Sequence, residues 1–209
     1  MATTLVSRGP VRIGGIAVAD RTHLCAPYRS RAERDRLLLP FLRCGLRRGD
    51  VCLCVTAPGQ NQDLTALVAE DGRELQTLQP LGSEGAHLRV TTCESDALID
   101  LLDPWSRHIV DDDPSAFARV AADMSRAVPR GSPGFGSGLA GFESRLGHWV
   151  RGYPQVGMCL FDLNLFGGDV VIRVIEFHPR TWVSGVVVDN PHCLDPGAPV
   201  PGPRLRRGA

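Results

Sequence analysis

Two short segments constrain the fold more than anything else in this chain: VCLCVT from Val51 and VGMCLFDL from Val156 are apolar at nearly every position. A strand with one wet face alternates apolar and polar residues. A run that does not alternate is buried on both faces, the condition found in a parallel sheet covered by helices on each side. Parallel neighbours need a crossover connection, usually a helix, so patterns of period 3.6 should separate the strands.

They do. Ser30 and Glu33 form a capping box opening a helix on which Leu37, Leu38, Phe41, Leu42 and Gly45 follow helical spacing, with Arg34, Asp35 and Arg43 nearer solvent and Pro40 expected to kink it. Upstream, about Val11 to Ala19 reads as a first strand, and RTHLCAPYRS reads as the loop leading into the helix. After VCLCVT the pattern predicts a helix from about Asp63 to Glu70, a strand HLRVTT, and a helix with Ala97, Leu98, Leu101, Leu102 and Trp105 on one face. ARVAADMS reads as a strand and PRGSPGFGSG as a loop. A helix with Leu139, Phe142, Leu146 and Trp149 on its apolar face follows, then VGMCLFDL and a last strand, WVSGVVV. DVVIRVIEFHP suits strand by its β-branched content and helix by its continuous burial; we assign helix. The expected architecture is α/β: a mostly parallel sheet flanked by helices, one domain over residues 1–193, with a Pro- and Gly-rich flexible tail at 194–209.

Charge narrows the function. Lys plus Arg and Asp plus Glu number 23 each, and every one of those cations is arginine. No global field steers the chain to nucleic acid or an anionic membrane. A phosphate-loop lysine, a Schiff-base lysine and a lysine general base are all excluded. No segment approaches a bilayer span, no leader is evident at the N-terminus, and the seven cysteines sit mostly in apolar runs, so a cytoplasmic protein with reduced thiols is expected.

One group of residues stands out as a candidate site. His23, Cys25 and Tyr28 place a titratable ring, a thiol and a phenol within one turn of chain, beside a capped helix. On residue type alone, a loop whose polar groups satisfy the backbone explains them as well.

The stretch HLCAPYRSRAERDRLLLPFLRCGLRRGDVCLCV resembles the opening of the MEDS domain family, the sensory domains of methanogens, methylotrophs and a dichloromethane-responsive regulator. GFESRLGHWVRGYPQVGMCLFDLNLFGGDVVIRVIEFHP and GVVVDNPH resemble its second half, so the likeness runs from about Thr22 to His192. The chain departs from the family pattern at Ala26 and Pro27, beside the tyrosine, and at Asp123, where Glu is commoner. The resemblance implies a RecA- or KaiC-like three-layer domain without a working phosphate loop. It further implies a non-catalytic regulatory sensor that binds a small organic ligand through His23, Cys25 and Tyr28, with Asp162 facing the same crevice at a strand end. Output would pass in trans to a kinase, an anti-sigma-type regulator or a DNA-binding protein; no cofactor is expected, and a homodimer is compatible.

Other chemistries fare worse. APGQNQDLT, after VCLCVT, lacks the second glycine and the Lys-Ser/Thr pair of a phosphate loop, and Asp123 reads as structural. Gly136, Gly138 and Gly141 have dinucleotide spacing with Asp162 beyond them, but Pro129 and Pro133 separate them from the preceding strand. Cys52 and Cys54 share a strand face, and His23, Cys25, His178, His192 and Cys193 could converge, yet the spacings are not those of a zinc site. No G-x-S-x-G occurs. A dinucleotide- or metal-dependent enzyme is the alternative class.

Overall fold

The computed structural model describes residues 11–13, 15–55, 78–80, 95–124 and 135–194. The chain opens with a two-stranded antiparallel hairpin, β1 (Val11–Ile13) and β2 (Ile16–Val18). The expected single strand over Val11 to Ala19 is therefore two, because Gly15, at φ +83°, turns the chain between them.

A separate seven-stranded sheet holds β3 (His23–Tyr28), β4 (Val51–Val55), β5 (Leu78–Pro80), β6 (Ala118–Asp123), β7 (Gln155–Asp162), β8 (Arg180–Val183) and β9 (Val186–Asp189). Their spatial order is β5-β4-β6-β7-β3-β8-β9, with every pair parallel except β8 and β9. The segment expected to be a loop, 22–28, is thus largely an interior strand. Leu24, Cys25 and Ala26 were its signal: three consecutive buried residues with no turn chemistry among them. WVSGVVV is two antiparallel strands, since Ser184 and Gly185 both take positive φ, the requirement of a tight two-residue hairpin.

Among the described residues four helices cover the sheet: α1 (Arg31–Arg47), α2 (Ser95–Asp112), α3 (Phe135–Gly152) and α4 (Gly168–Glu176). On one face α1 and the first hairpin pack on Leu24, Ala26, Cys52, Ala121 and Met158. On the other, α2, α3 and α4 pack on Cys25, Leu53, Val120, Cys159 and Phe161. The period of two along each strand sorts its residues between these cores.

The helix expectations hold with local exceptions. Ser30 Oγ accepts the Glu33 N–H at 3.2 Å, while the Glu33 carboxylate accepts from Arg29 N rather than Ser30 N. DVVIRVIE is helical, as assigned, and α1 continues through Pro40. Leu101 is exposed rather than on the buried face of α2. The loop expected through Gly138 gives way to helix at Phe135, so Gly136, Gly138 and Gly141 lie within α3. The helix expected over 63–70 and the strand HLRVTT fall outside the described residues. No described helix is long and apolar enough to cross a membrane.

Two buried arginines replace solvent with protein partners. Arg119, fully buried on β6, donates from Nε to Asp50 at 2.8 Å and from Nη1 to the Phe41 carbonyl at 3.0 Å. Gly45 makes room for it, since a Cβ there would lie 2.6 Å from Arg119 Cδ and 2.7 Å from Cys52 Sγ. Arg34, expected near solvent, is buried between Asp35 and Asp123. Removing one partner of a buried ion pair leaves an uncompensated charge, at a cost of about 3–5 kcal/mol. Asp50→Ala should destabilise the fold by that order in urea denaturation, and Arg119→Met added to it should recover a large part of the loss.

Candidate functional site: a buried His, Glu, Cys, His cluster

His23 begins β3 and lies opposite Gly157 of β7; Tyr28 ends the strand opposite Asp162. Five residue steps separate the two, about 16 Å at strand rise. Alternation then divides the candidate residues. His23 and Cys25 face α3 and α4, whereas Tyr28 faces α1. The structure therefore pairs His23 with Cys25 on one side and Tyr28 with Asp162 at the carboxyl edge, and does not bring all four into one crevice.

At the carboxyl edge the polar groups satisfy one another. The Tyr28 hydroxyl donates to the Asp123 carboxylate at 3.1 Å, and Arg34 Nη1 stands 3.5 Å from the same carboxylate. Asp162 Oδ1 accepts from the Asn164 backbone N–H and side-chain amide, both at 2.9 Å, and that amide also donates to the Arg29 carbonyl. This edge is a set of closed turns and pairs, with Asp123 the acceptor at its centre.

His23 sits in a different environment. Its Nε2 lies 3.2 Å from Cys159 Sγ and 3.6 Å from Glu143 Oε2, and its ring centroid lies 4.0 Å from that of His178, the two planes tilted by 39°. His178 Nε2 is 3.4 Å from the same Glu143 oxygen. One donor atom from each of His23, Glu143, Cys159 and His178 lies within 4.8 Å of all the others, and all four residues are buried. Gly157 lets α3 pack close to β7: a Cβ there would lie 2.7 Å from Val150, while its 3.6 Å distance to the His23 ring would be ordinary contact.

Four separate elements deliver these groups. His23 comes from β3, Glu143 from the middle of α3, Cys159 from β7 and His178 from the turn between α4 and β8. The His178 Nδ1–H donates to the Val174 carbonyl at 2.8 Å, which fixes the tautomer and leaves the Nε2 lone pair directed into the cluster. Apart from contact with the Cys159 thiol, neither Glu143 oxygen has a hydrogen-bond partner, and His178 Nε2 and His23 Nδ1 have none. Buried polar groups are satisfied in the great majority of cases, so this concentration is a signal of function.

Burial dominates the electrostatics. It pushes the Glu143 carboxyl up to about 8, an effect the Cys159 thiol partly opposes, and drives His178 down to about 4. His23 falls well below its ordinary value through burial and the charge of His178, and the Cys25 and Cys159 thiols rise through burial and the Glu143 carboxylate. Without a bound cation the cluster is neutral near pH 7: a carboxylic acid, two imidazoles and a thiol. With a cation, the same four groups are an N, N, O, S donor set.

A small apolar cavity of about 10 Å³ adjoins the cluster, touching His23 and Cys159 and walled by Val55, Leu102, Leu146 and Trp149. On the opposite side of the sheet, an open groove of about 570 Å³ runs between α1 and the first hairpin, lined by Arg12, Arg36, Arg43 and Arg47.

Sequence reasoning named His23 and placed His178 among residues that could converge, but missed Glu143 and Cys159. The signal for Glu143 was present: it lies four residues after Leu139 and three before Leu146, on the buried stripe of α3, where a carboxylate needs a reason. Of the other residues considered for metal, His192 is exposed, Cys193 is half-buried, and Cys52 and Cys54 lie in the core on the α1 face.

The cluster sets a pH signature in chelator-treated protein. His178 resists protonation in the fold down to about 4, and burial lowers His23 in the same direction, so stability rises with pH up to their unfolded value near 6.5. Glu143 holds its proton more tightly folded than unfolded, so its contribution is complete below about 4.5 and is lost as pH climbs to about 8. Two imidazoles outweigh one carboxyl below 6.5; above it only Glu143 acts. Urea stability should peak near pH 6.5 and fall by roughly 2 kcal/mol by pH 8, and Glu143→Gln should abolish the fall while keeping the rise.

Comparison with known proteins agrees with this architecture. Residues 22–179 match the model of MEDS, the methanogen/methylotroph, DcmR sensory domain. The transcriptional repressor DcmR of Methylorubrum extorquens is 40% identical over 57 residues, a stretch covering 27% of this chain and 22% of the repressor. Among solved structures, the uncharacterized protein PH0321 of Pyrococcus horikoshii, in complex with an unknown peptide, superposes with a TM-score of 0.61 at 14% identity, over 80% of this chain and 78% of that one. The ATPase domain of G40P gives 0.57 at 8% identity, over 77% and 68%. The KaiC-like protein PH0186 of P. horikoshii gives 0.50 at 11% identity, over 81% and 73%. At such identities the structural likeness establishes a RecA/KaiC-like fold and nothing further. The family match spans most of the chain, and the chain belongs to the MEDS family of sensory domains.

Proposed function

We propose that this chain is a regulatory sensor domain that binds a small organic molecule on the α3 and α4 face of the sheet and passes the signal to a transcription regulator, without catalysing a reaction. The observation that carries the reading is the His23, Glu143, Cys159, His178 cluster, unsatisfied and buried beside an apolar cavity, in a chain of a sensory family. The cavity of about 10 Å³ has room for no more than a water, so a small, mostly apolar molecule would enter only as α2 and α3 part from the sheet, meeting His23 there, with Cys25 on the same face of β3. Tyr28 ends β3 and Asp162 ends β7, so at the carboxyl edge they would report on the positions of these two paired strands rather than touch the same ligand. Because α3 supplies Glu143 and α4 leads into His178, occupancy would bias the packing of both helices, and a ligand shifts such an equilibrium only through differential affinity for its two states.

The absence of catalysis is supported by the chain's own residues. A phosphate loop joins a strand to a helix through a glycine-rich segment ending in Lys-Ser/Thr. Between β3 and α1 only Arg29 and Ser30 intervene, APGQNQDLT after β4 lacks the motif, and no lysine exists anywhere. The dinucleotide alternative loses ground because its glycines lie within α3. The repressor relative favours transcription control as the output.

A thermal-shift screen of small organic compounds, including haloalkanes, short alcohols and amines, tests the reading. A true ligand at about 100 times its Kd stabilises by about 2.7 kcal/mol, a shift of roughly 5–10 °C for a domain of this size. His23→Gln and Cys25→Ser should lose that shift. A panel without any stabiliser, or a shift that both variants retain in full, contradicts this site.

A further inference from the structure

The four donors of the buried cluster have a geometry that hydrogen bonding explains only at Cys159. Hydrogen bonds between nitrogen and oxygen run about 2.7–3.2 Å. Here His178 Nε2 and His23 Nε2 stand 3.4 and 3.6 Å from the same Glu143 oxygen, and His23 Nε2 is 3.2 Å from Cys159 Sγ, where sulfur contacts are ordinarily longer. Ligands around a tetrahedral zinc lie about 2.0–2.3 Å from the metal, and the edges of such a tetrahedron are about 3.3–3.8 Å. These three separations lie at or close to those edges, and the remaining donor pairs lie within 4.8 Å of one another.

We propose that His23 Nε2, the Glu143 carboxylate, Cys159 Sγ and His178 Nε2 form a four-coordinate site for a divalent cation of the zinc class. Three further observations support it. The donor set of two imidazoles, one thiolate and one carboxylate suits zinc rather than calcium or magnesium, which take oxygen. Its two anionic members neutralise a divalent ion, so the loaded site carries no net charge into a fully buried position. The His178 Nδ1–H bonded to the Val174 carbonyl is the outer-shell contact that orients a metal-bound imidazole.

The site has four protein donors and no open position, which marks it as a staple and not a catalytic centre. It ties β3, α3, β7 and the turn before β8 to one point. Two of its ligands, His23 and Cys159, also line the apolar cavity, and Glu143 rides on α3, so movement of that helix would be felt at the metal. The inference goes beyond the sensor reading and does not need it: the cation can be bound whatever the ligand or output.

Metal analysis and cobalt substitution test it on the full chain. Protein purified from zinc-supplemented cells should contain one zinc per chain. Unfolding in chelator and refolding with Co²⁺ should restore one cobalt, with the intense d–d bands of tetrahedral geometry and a thiolate-to-cobalt charge-transfer band. Cys159→Ser should abolish the charge-transfer band, and Cys25→Ser, whose thiol is on the same face but outside the donor set, should keep it. Glu143→Gln should keep the band and bind cobalt more than about 100-fold more weakly, beyond the loss usual for outer-shell changes. Metal well below one per chain, a band that survives Cys159→Ser, or one that disappears in Cys25→Ser overturns the proposal. Should the variants fail to fold by circular dichroism, the wild-type spectrum decides: refolded protein without a thiolate band refutes the site. A negative ligand screen alongside a positive cobalt spectrum would reject the sensor reading and leave the metal site standing.

Discussion

The parallel pairing of β3 with β7, from His23 against Gly157 to Tyr28 against Asp162, decides which side chains meet at the centre of this molecule. Side chains alternate across a strand, so a slip of one residue would exchange the two faces, sending His23 and Cys25 toward α1 and Tyr28 toward α3. In the observed register His23 reaches Cys159 and Glu143, and the Tyr28 hydroxyl reaches Asp123. Burial on both faces holds the register in place, because Leu24, Ala26 and Met158 fill one core while Cys25, Cys159 and Phe161 fill the other.

The polar interior is divided by this arrangement into three parts with different logic. Arg119 with Asp50, and Arg34 with Asp35 and Asp123, are charged groups matched by opposite charge and belong to the architecture near the two ends of β6. The carboxyl edge, with Tyr28 and Asp162, is satisfied by local hydrogen bonds. Among the described residues, His23, Glu143 and His178 form the one group in which several buried polar atoms short of hydrogen-bond partners lie together, the others standing singly at residues such as Thr181 and Trp182. A protein that needed only stability would be served at least as well by apolar side chains of similar volume there. In a sensory family, the natural place to look for a signal is the part of the core that burial leaves incomplete.

The layered parallel sheet was readable from VCLCVT and VGMCLFDL because burial on both faces leaves an unmistakable apolar run, and α1 was readable from its capping box and its stripe. What sequence could not supply was the neighbour of each strand. HLCAPY carries a proline and begins with a polar residue, so it resembled a loop until its partners on both sides were known. WVSGVVV looked continuous because a Ser-Gly turn is only two residues long. Arg34 looked like a surface residue because nothing local announces an aspartate 89 positions away. The cluster followed the same rule. His23 was visible as an unusual residue, yet Glu143, Cys159 and His178 join it only through contacts spanning more than a hundred positions, and a carboxylate on an apolar helix stripe was the one local sign of them.

The fold is RecA/KaiC-like, while the cluster lies within the sheet's helix-covered face and not at the carboxyl ends of the strands where open α/β sheets ordinarily hold a ligand. We propose that recognition in this chain lies off that edge and that the chain does not work as a nucleotide enzyme. Titration of the purified chain with a fluorescent ATP analogue in the presence of Mg²⁺, paired with an assay for released phosphate, tests that claim most directly. The account predicts no saturable binding into the millimolar range and no turnover. Saturable one-to-one binding accompanied by phosphate release would contradict it.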